Sequence, residues 1–169
     1  MILDTNAFIE PANRFYSFDI CPGYWDFVME DFESSNAISI KHVRDEVLVG
    51  EDKLADWMKE SINKVHFYDC AGDEAVVAEQ RRVAEYVMHT YDKPNVINDF
   101  LATGVADSWI VAYALAHGGT VVTQETHKRK GKKVSLVDVC KHFGIHQIDV
   151  FEFLRIEKAR FVYQKREVA

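Results

Sequence analysis

Short runs of apolar and β-branched residues, separated by longer helical segments, are the feature that most constrains the fold of this chain. Runs with the character of buried strands lie near 1–5 and at 37–40, 65–68 and 120–123. Four separate segments have helical periodicity: one begins at Pro22, one at about His42, and the others cover 74–91 and 107–117. Parallel strands need helical crossovers, so this alternation predicts an α/β fold with a central, mostly parallel sheet.

The helical segment 107–117 is apolar almost all round, so we expect it to be buried, with Trp109, Ile110, Ala112, Tyr113 and Leu115 in the core. The glycines at 118 and 119 are expected to stop it. In the segment 74–91 the expected inner side consists of Val76, Val77, Val83, Val87 and Met88.

The remaining segments are assigned from turn and strand signals. The tripeptide Lys93-Pro94-Asn95 is expected to close the unit that precedes it, and 134–136 to form a short strand before a helix over 137–143. A C-terminal helix and tail occupy about 150–169.

Length and composition indicate one globular domain over 1–169. With 169 residues and 48% hydrophobic content, the chain is long enough for a core and too apolar for disorder. No apolar run approaches the ~20 residues that cross a bilayer, and the chain starts directly with a strand, so we expect a cytoplasmic protein. The three cysteines form no CxxC pair, which argues against disulfides and a thiolate zinc site.

Charge is unevenly distributed along the chain. The formal net charge of -7 opposes binding to a polyanion, yet five of the seven residues at 127–133 are basic. These are Lys128, Arg129, Lys130, Lys132 and Lys133. Such a run is commonly a solvated loop, and here it directly follows a candidate site residue, so it is also a candidate nucleic-acid-binding segment.

Four acidic residues stand at ends or starts of predicted elements: Asp4, Glu46, Asp107 and Glu125. Each has an ordinary explanation, because an acid in such a place can cap a helix or lie on a helix or loop surface. In an α/β fold, however, ligand sites lie at the carboxyl ends of the strands, where these acids are expected to converge. Nearby polar residues that would support them are Asn6, Thr123 and Ser108.

Clustered carboxylates would repel one another, and a divalent cation would remove that repulsion. Hard oxygen ligands favour Mg²⁺ or Mn²⁺, and one or two such ions can activate water and stabilise a departing phosphodiester oxygen. The sequence has no histidine or cysteine cluster that competes for metal, and no Walker, GxGxxG or GxSxG motif.

Four motifs in this order resemble those of PIN domains. They are Leu3-Asp4-Thr5-Asn6, Val43-Arg44-Asp45-Glu46, Ala106-Asp107-Ser108-Trp109-Ile110-Val111-Ala112-Tyr113-Ala114 and Thr123-Gln124-Glu125. The resemblance implies a three-layer α/β/α sandwich and a metal-dependent nuclease whose metal-binding and catalytic acids are Asp4, Glu46, Asp107 and Glu125. Most PIN domains carry aspartate at the fourth position, so Glu125 departs from the pattern.

Two further segments are similar to the branch of bacterial VapC-type toxins of type II toxin–antitoxin systems. They are Phe18-Asp19-Ile20-Cys21-Pro22-Gly23-Tyr24-Trp25, and Val137-Asp138-Val139-Cys140 with Phe143-Gly144-Ile145. This implies an endoribonuclease toxin with an RNA substrate, a cognate antitoxin and a possible homodimer. The alternatives are a PIN nuclease of RNA processing or of DNA structures, and a non-catalytic PIN-like binding module.

Overall fold

The computed structural model describes residues 1–61, 65–125 and 133–163. In these ranges the α-helices are α1 Asn6–Glu10, α2 Pro22–Glu33, α3 Lys41–Leu48, α4 Lys53–Ser61, α5 Glu74–Thr90, α6 Pro94–Leu101, α7 Ala106–His117, α8 Leu136–His142 and α9 Val150–Ile156. A π-helical turn, Pro11–Phe15, continues α1, and a 3₁₀ turn, Cys70–Gly72, precedes α5.

The strands of the described part are short and all parallel. They are β1 Ile2–Leu3, β2 Val121–Val122 and β3 Gln147–Ile148, in the order β1-β2-β3. On the other side of β1, isolated parallel bridges join Ile2 to Ile38 and Ile40 to Tyr68. The segments that follow β1 in the chain therefore pair on one side of it, and β2 and β3 pair on the opposite side. The strand order reverses between β1 and β2.

The predicted α/β class and the parallel sheet are confirmed, and several local predictions are wrong. The runs at 37–40 and 65–68 contribute isolated bridges rather than full strands. No strand forms at 134–136, because α8 begins at Leu136. Pro94 does not close a unit; it occupies the first turn of α6, where its missing N–H costs nothing.

Helix α7 is the central buried helix, as its apolar sequence predicts. Ile110 and Ala112 are fully buried and α7 packs against α5, whereas Trp109, Tyr113 and Leu115 are half-buried at its edges. Gly118 ends the helix with a φ of 76°.

The inner face of α5 is narrower than the sequence predicts. Val76, Val83 and Val87 are buried, Val77 is half-buried, and Met88 is 54% exposed. Met88 follows the buried Val87 by one residue, a rotation of about 100° that carries it away from the core.

Buried apolar side chains from β1 to α9 form one contiguous cluster. It draws on Ile2 and Leu3 at one end of the chain and on Phe153 at the other. No helix in the described ranges has both the length and the apolar character needed to cross a membrane.

Replacing Ile110 with alanine should destabilise the fold by roughly 2–5 kcal/mol, because the side chain is fully buried in α7 and a cavity would remain. Urea unfolding measures the change. Val49→Ala is the matched control, since Val49 is 84% exposed and its truncation should have little effect. A loss below about 0.5 kcal/mol for Ile110→Ala would contradict the burial of α7.

Candidate carboxylate site at the edge of the sheet

The site begins where β1 and β2 end side by side. Asp4 follows β1, and its backbone N–H donates to the Val122 carbonyl oxygen at 3.0 Å. Thr123 follows β2 directly. The strand order reverses between these two strands, and in open α/β sheets such a switch point, at the carboxyl ends of the strands, is where ligands bind.

Asp4 is fully buried, and hydrogen-bond donors from neighbouring residues hold its carboxylate. Its Oδ1 accepts from the Thr5 backbone N–H at 2.6 Å, and its Oδ2 from the Thr123 hydroxyl at 2.7 Å and the Asn6 amide at 3.3 Å. Burial and the nearby Glu46 carboxylate raise the pKa of Asp4 to about 6, against the effect of these donors. Thr123 and Asn6 are two of the residues predicted to support the acids, and both donate to Asp4.

Glu46 reaches the same place from α3. The buried faces of Val43 and Val47 place it beside the core, as the sequence predicts. Its Oε1 accepts from the Ala106 backbone N–H at 2.8 Å, and its Oε2 accepts from the Thr5 hydroxyl. The neighbouring Asp45 turns to solvent, where its carboxylate lies 2.6 Å from Arg44, so Glu46 is the acid that α3 brings to the site.

Asp107 lies in the first turn of α7, immediately after the amide that binds Glu46. Burial, together with the negative charges of Asp4, Glu125 and Glu46, raises its pKa to about 8, although the Lys133 ammonium lowers it. Within the described residues, no N–H or O–H donates a hydrogen bond to its carboxylate. Asp107 is therefore the acid whose charge the protein compensates least.

Glu125 is not an exposed loop acid, although its position in the sequence suggested one. Its side chain is only 5% exposed. Oε2 accepts from the Leu136 backbone N–H at 2.9 Å and the Ser135 hydroxyl at 3.2 Å, and Oε1 lies 3.7 Å from the Lys133 ammonium. Glu125 is thus held in a buried position by hydrogen bonds from the start of α8.

Two threonines, Thr5 and Thr123, link the acids, and only Thr123 is predicted from the sequence to support them. The Thr123 hydroxyl accepts from the Glu125 backbone N–H at 3.0 Å and donates to Asp4. Thr5 donates its N–H to Asp4 and its hydroxyl to Glu46. One chain of hydrogen bonds therefore runs from Glu125 to the start of α7.

Ser108 has a different place from the predicted one. It is buried, and its hydroxyl accepts from the Gln80 amide of α5 at 3.4 Å, so its contact joins two helices. Thr5 was missed although it lies inside the Leu3-Asp4-Thr5-Asn6 motif, because its hydroxyl bonds to Glu46, 41 residues away. Ser135 was missed because no motif marks it as a partner of Glu125. Of the predicted basic residues, Lys133 lies beside Glu125. The others, Lys128, Arg129, Lys130 and Lys132, lie outside the described residues.

The donor chemistry of the site fits a hard divalent cation, although the acids do not form a closed set of ligands. In the described ranges no group of three or more histidine, cysteine or acidic side chains is placed to hold a metal ion. Glu46 and Glu125 instead accept hydrogen bonds from the first residues of α7 and α8. All four side chains present oxygen, and Asp107 has no donor of its own within the described part, so the carboxylates match Mg²⁺ or Mn²⁺ in chemistry.

The fold and site together define an α/β protein with clustered carboxylates at the point where its parallel sheet reverses strand order. Within that class, the chain belongs to the family described as Domain of unknown function (DUF4411), which matches residues 1–161. Comparison with curated proteins and with solved structures finds no match. The description of this family names no activity.

Asp107 should make the metal-free protein less stable as pH rises. Its pKa is raised from 3.8 to about 8, so between these values the folded state holds a proton that the unfolded state releases, and stability falls through that window. In excess EDTA, the melting temperature of Asp107→Asn relative to wild type should therefore increase from pH 5 to pH 9. Asp99→Asn, at an exposed position on α6, is the control. A difference between Asp107→Asn and wild type that does not change with pH would contradict the assigned environment.

Proposed function

We propose that this protein is a PIN-like, metal-dependent endoribonuclease whose metal is held by Asp4, Glu46, Asp107 and Glu125. The observation that carries the proposal is the convergence of these acids, from four separate segments, at the carboxyl edge of the sheet. The finer fold, a three-layer α/β/α sandwich of PIN type, belongs to the same proposal. The parallel sheet that reverses order next to Asp4 supports it.

A purely structural role explains three of these acids better than the fourth. Asp4, Glu46 and Glu125 each accept hydrogen bonds that tie segments together. Asp107 has no such donor within the described residues, and its three like-charged neighbours disfavour its ionised form. A largely buried acid whose ionised form is disfavoured by neighbouring charges is a candidate functional group.

When bound, Mg²⁺ or Mn²⁺ would act as a Lewis acid and would provide an activated water for phosphodiester hydrolysis. Thr123 and Asn6 hold the Asp4 carboxylate in one orientation, and Thr5 does the same for Glu46. Asp107 projects from the first turn of the rigid α7. The contacts of Asp4 hold its carboxylate in place, whereas Glu46 and Glu125 would have to leave the amides of α7 and α8 to reach a shared cation.

RNA is the proposed substrate because the basic residues next to the site offset an otherwise acidic protein. Lys133 lies 3.7 Å from Glu125 and its side chain is 48% exposed, so its ammonium can turn to a phosphate beside the carboxylates. Lys128, Arg129, Lys130 and Lys132 precede it directly in the sequence. With a net charge of -7, local attraction of this kind is needed to bring a polyanion to the acids.

Purified wild-type protein should cleave single-stranded RNA with Mg²⁺ or Mn²⁺ and lose that activity in EDTA. Asp107→Asn and Asp4→Asn should each reduce the rate by about 100-fold or more, since a metal ligand supports several kcal/mol of transition-state stabilisation. Asp99→Asn should cleave as wild type does. A labelled RNA oligonucleotide, with single-stranded and flap DNA of matched sequence, measures the rate and the substrate class.

Equal cleavage of RNA in excess chelator, or full activity of Asp107→Asn, would refute the proposed site. Preference for flap DNA would assign the protein to the alternative of a PIN nuclease acting on DNA structures. RNA binding without cleavage under any metal would favour the non-catalytic binding module.

The proposed cellular role is that of a cytoplasmic toxin held inactive by a cognate antitoxin, with a homodimer as its possible assembly. Induced expression of the wild-type chain should then stop growth and degrade RNA, whereas Asp4→Asn should do neither. Asp99→Asn is the matched control that keeps toxicity. Unimpaired growth with soluble, cleavage-active wild-type protein would overturn the toxin role and leave a nuclease of RNA processing.

A further inference from the structure

A second acidic site lies away from the carboxylate site, in a cavity between α2 and the C-terminal segment 157–162. The cavity has a volume of about 720 Å³. Among the described residues, its lining combines apolar surface from Phe27 and Phe161 with four acids, Asp26, Glu30, Asp31 and Glu157, and one basic residue, Arg160. The described part of the lining is therefore negatively charged.

Asp31 is the feature of this cavity that needs a partner. It is only 6% exposed, and within the described residues its Oδ2 is buried without a hydrogen-bond donor. In the same part of the chain, the favourable polar neighbours of its carboxylate are the Asn36 side chain and the Met1 ammonium, which itself donates to the Asn36 carbonyl oxygen at 2.8 Å. A buried carboxylate oxygen that lacks a donor is costly, so a ligand that brought a donor to Asp31 would stabilise it.

Local structure adds to the excess of negative charge. Asp31 lies in the last turn of α2, where the helix dipole disfavours an acid, and Glu30 repeats the charge of Asp26 one helical turn later. Within the described residues, no lysine or arginine forms an ion pair with any of the four acids. A bound cation would relieve all of these repulsions together.

An organic cation fits this lining better than a small metal ion does, because apolar side chains stand beside the acids. An extended ammonium compound suits the lining better, because its methylene groups can lie along Phe27 and Phe161 while its charge reaches Asp31.

We propose that this cavity binds an aliphatic ammonium group, with the buried Asp31 carboxylate as its acceptor and Glu157 at the rim. A free polyamine and the lysine side chain of a partner protein share this chemistry. The site is independent of the proposed nuclease function, since none of its lining residues belongs to the carboxylate site at the sheet edge.

Calorimetric titration of the full chain with spermidine and with Nα-acetyl-lysine methylamide tests the proposal. We expect saturable binding of at least one probe, and the tighter of the two identifies the source of the ammonium. The Nε-acetylated form of the lysine probe has the same shape without the charge and should not bind. Asp31→Asn should weaken binding about tenfold or more, because it removes a charge-assisted hydrogen bond.

Glu157→Gln provides a second variant at the rim of the cavity, should Asp31→Asn unfold the protein. It should weaken binding as well, while Asp107→Asn, at the other acidic site, should leave it unchanged. Absence of binding by both probes would overturn the proposal. So would unchanged affinity in folded Asp31→Asn or Glu157→Gln, or a loss of binding in Asp107→Asn instead.

Discussion

The burial of Asp4 is the constraint on which the carboxylate site depends. An acid at the end of a two-residue strand, fully enclosed, persists only where every oxygen finds a donor. Thr123 supplies one from the end of the neighbouring strand, and Thr5 supplies another from the backbone. The Asp4 carboxylate therefore keeps its orientation only while β1 and β2 stay in register, and its hydrogen bond to Thr123 in turn stabilises that register.

The same hydrogen bonds couple the site to two helices. Glu46 accepts from the first residue of α7, and Glu125 accepts from the first residue of α8. Acids suit these positions because the first N–H groups of a helix have no partner within it. If either glutamate turned to a cation, the first backbone N–H of α7 or α8 would lose its present acceptor. Ligand binding at the site would therefore alter the hydrogen bonding of the first turn of a helix.

The sequence predicts the features of this fold that have local signals. The apolar character of 107–117 predicts a buried α7, and the position of Asp4 after a short apolar run predicts an acid at the sheet edge. The two-residue strand β3 has no such signal, because Gln147 and Ile148 make a strand only through pairing with β2. Pro94 was misread for a related reason: proline is equally suited to a turn and to the first turn of a helix.

Hydrogen bonds between segments that are distant in the chain could not be predicted from the sequence either. The bond from Thr5 to Glu46 spans 41 residues, and that from Thr123 to Asp4 spans 119. Motif order predicted that the four acids would share a site, but not which hydroxyls would connect them. The Glu125 side chain is buried because it accepts hydrogen bonds from Ser135 and Leu136. No helical or strand periodicity in the sequence predicts these contacts.

The pairing of β1 with β2 also determines when the site can exist during synthesis. β1 leaves the ribosome well before its partner Val121–Val122, and Glu125 is made later still. Until then Asp4 lacks its Thr123 donor, and the site lacks Glu125. The nascent chain therefore carries β1 for more than a hundred residues before the four acids can come together.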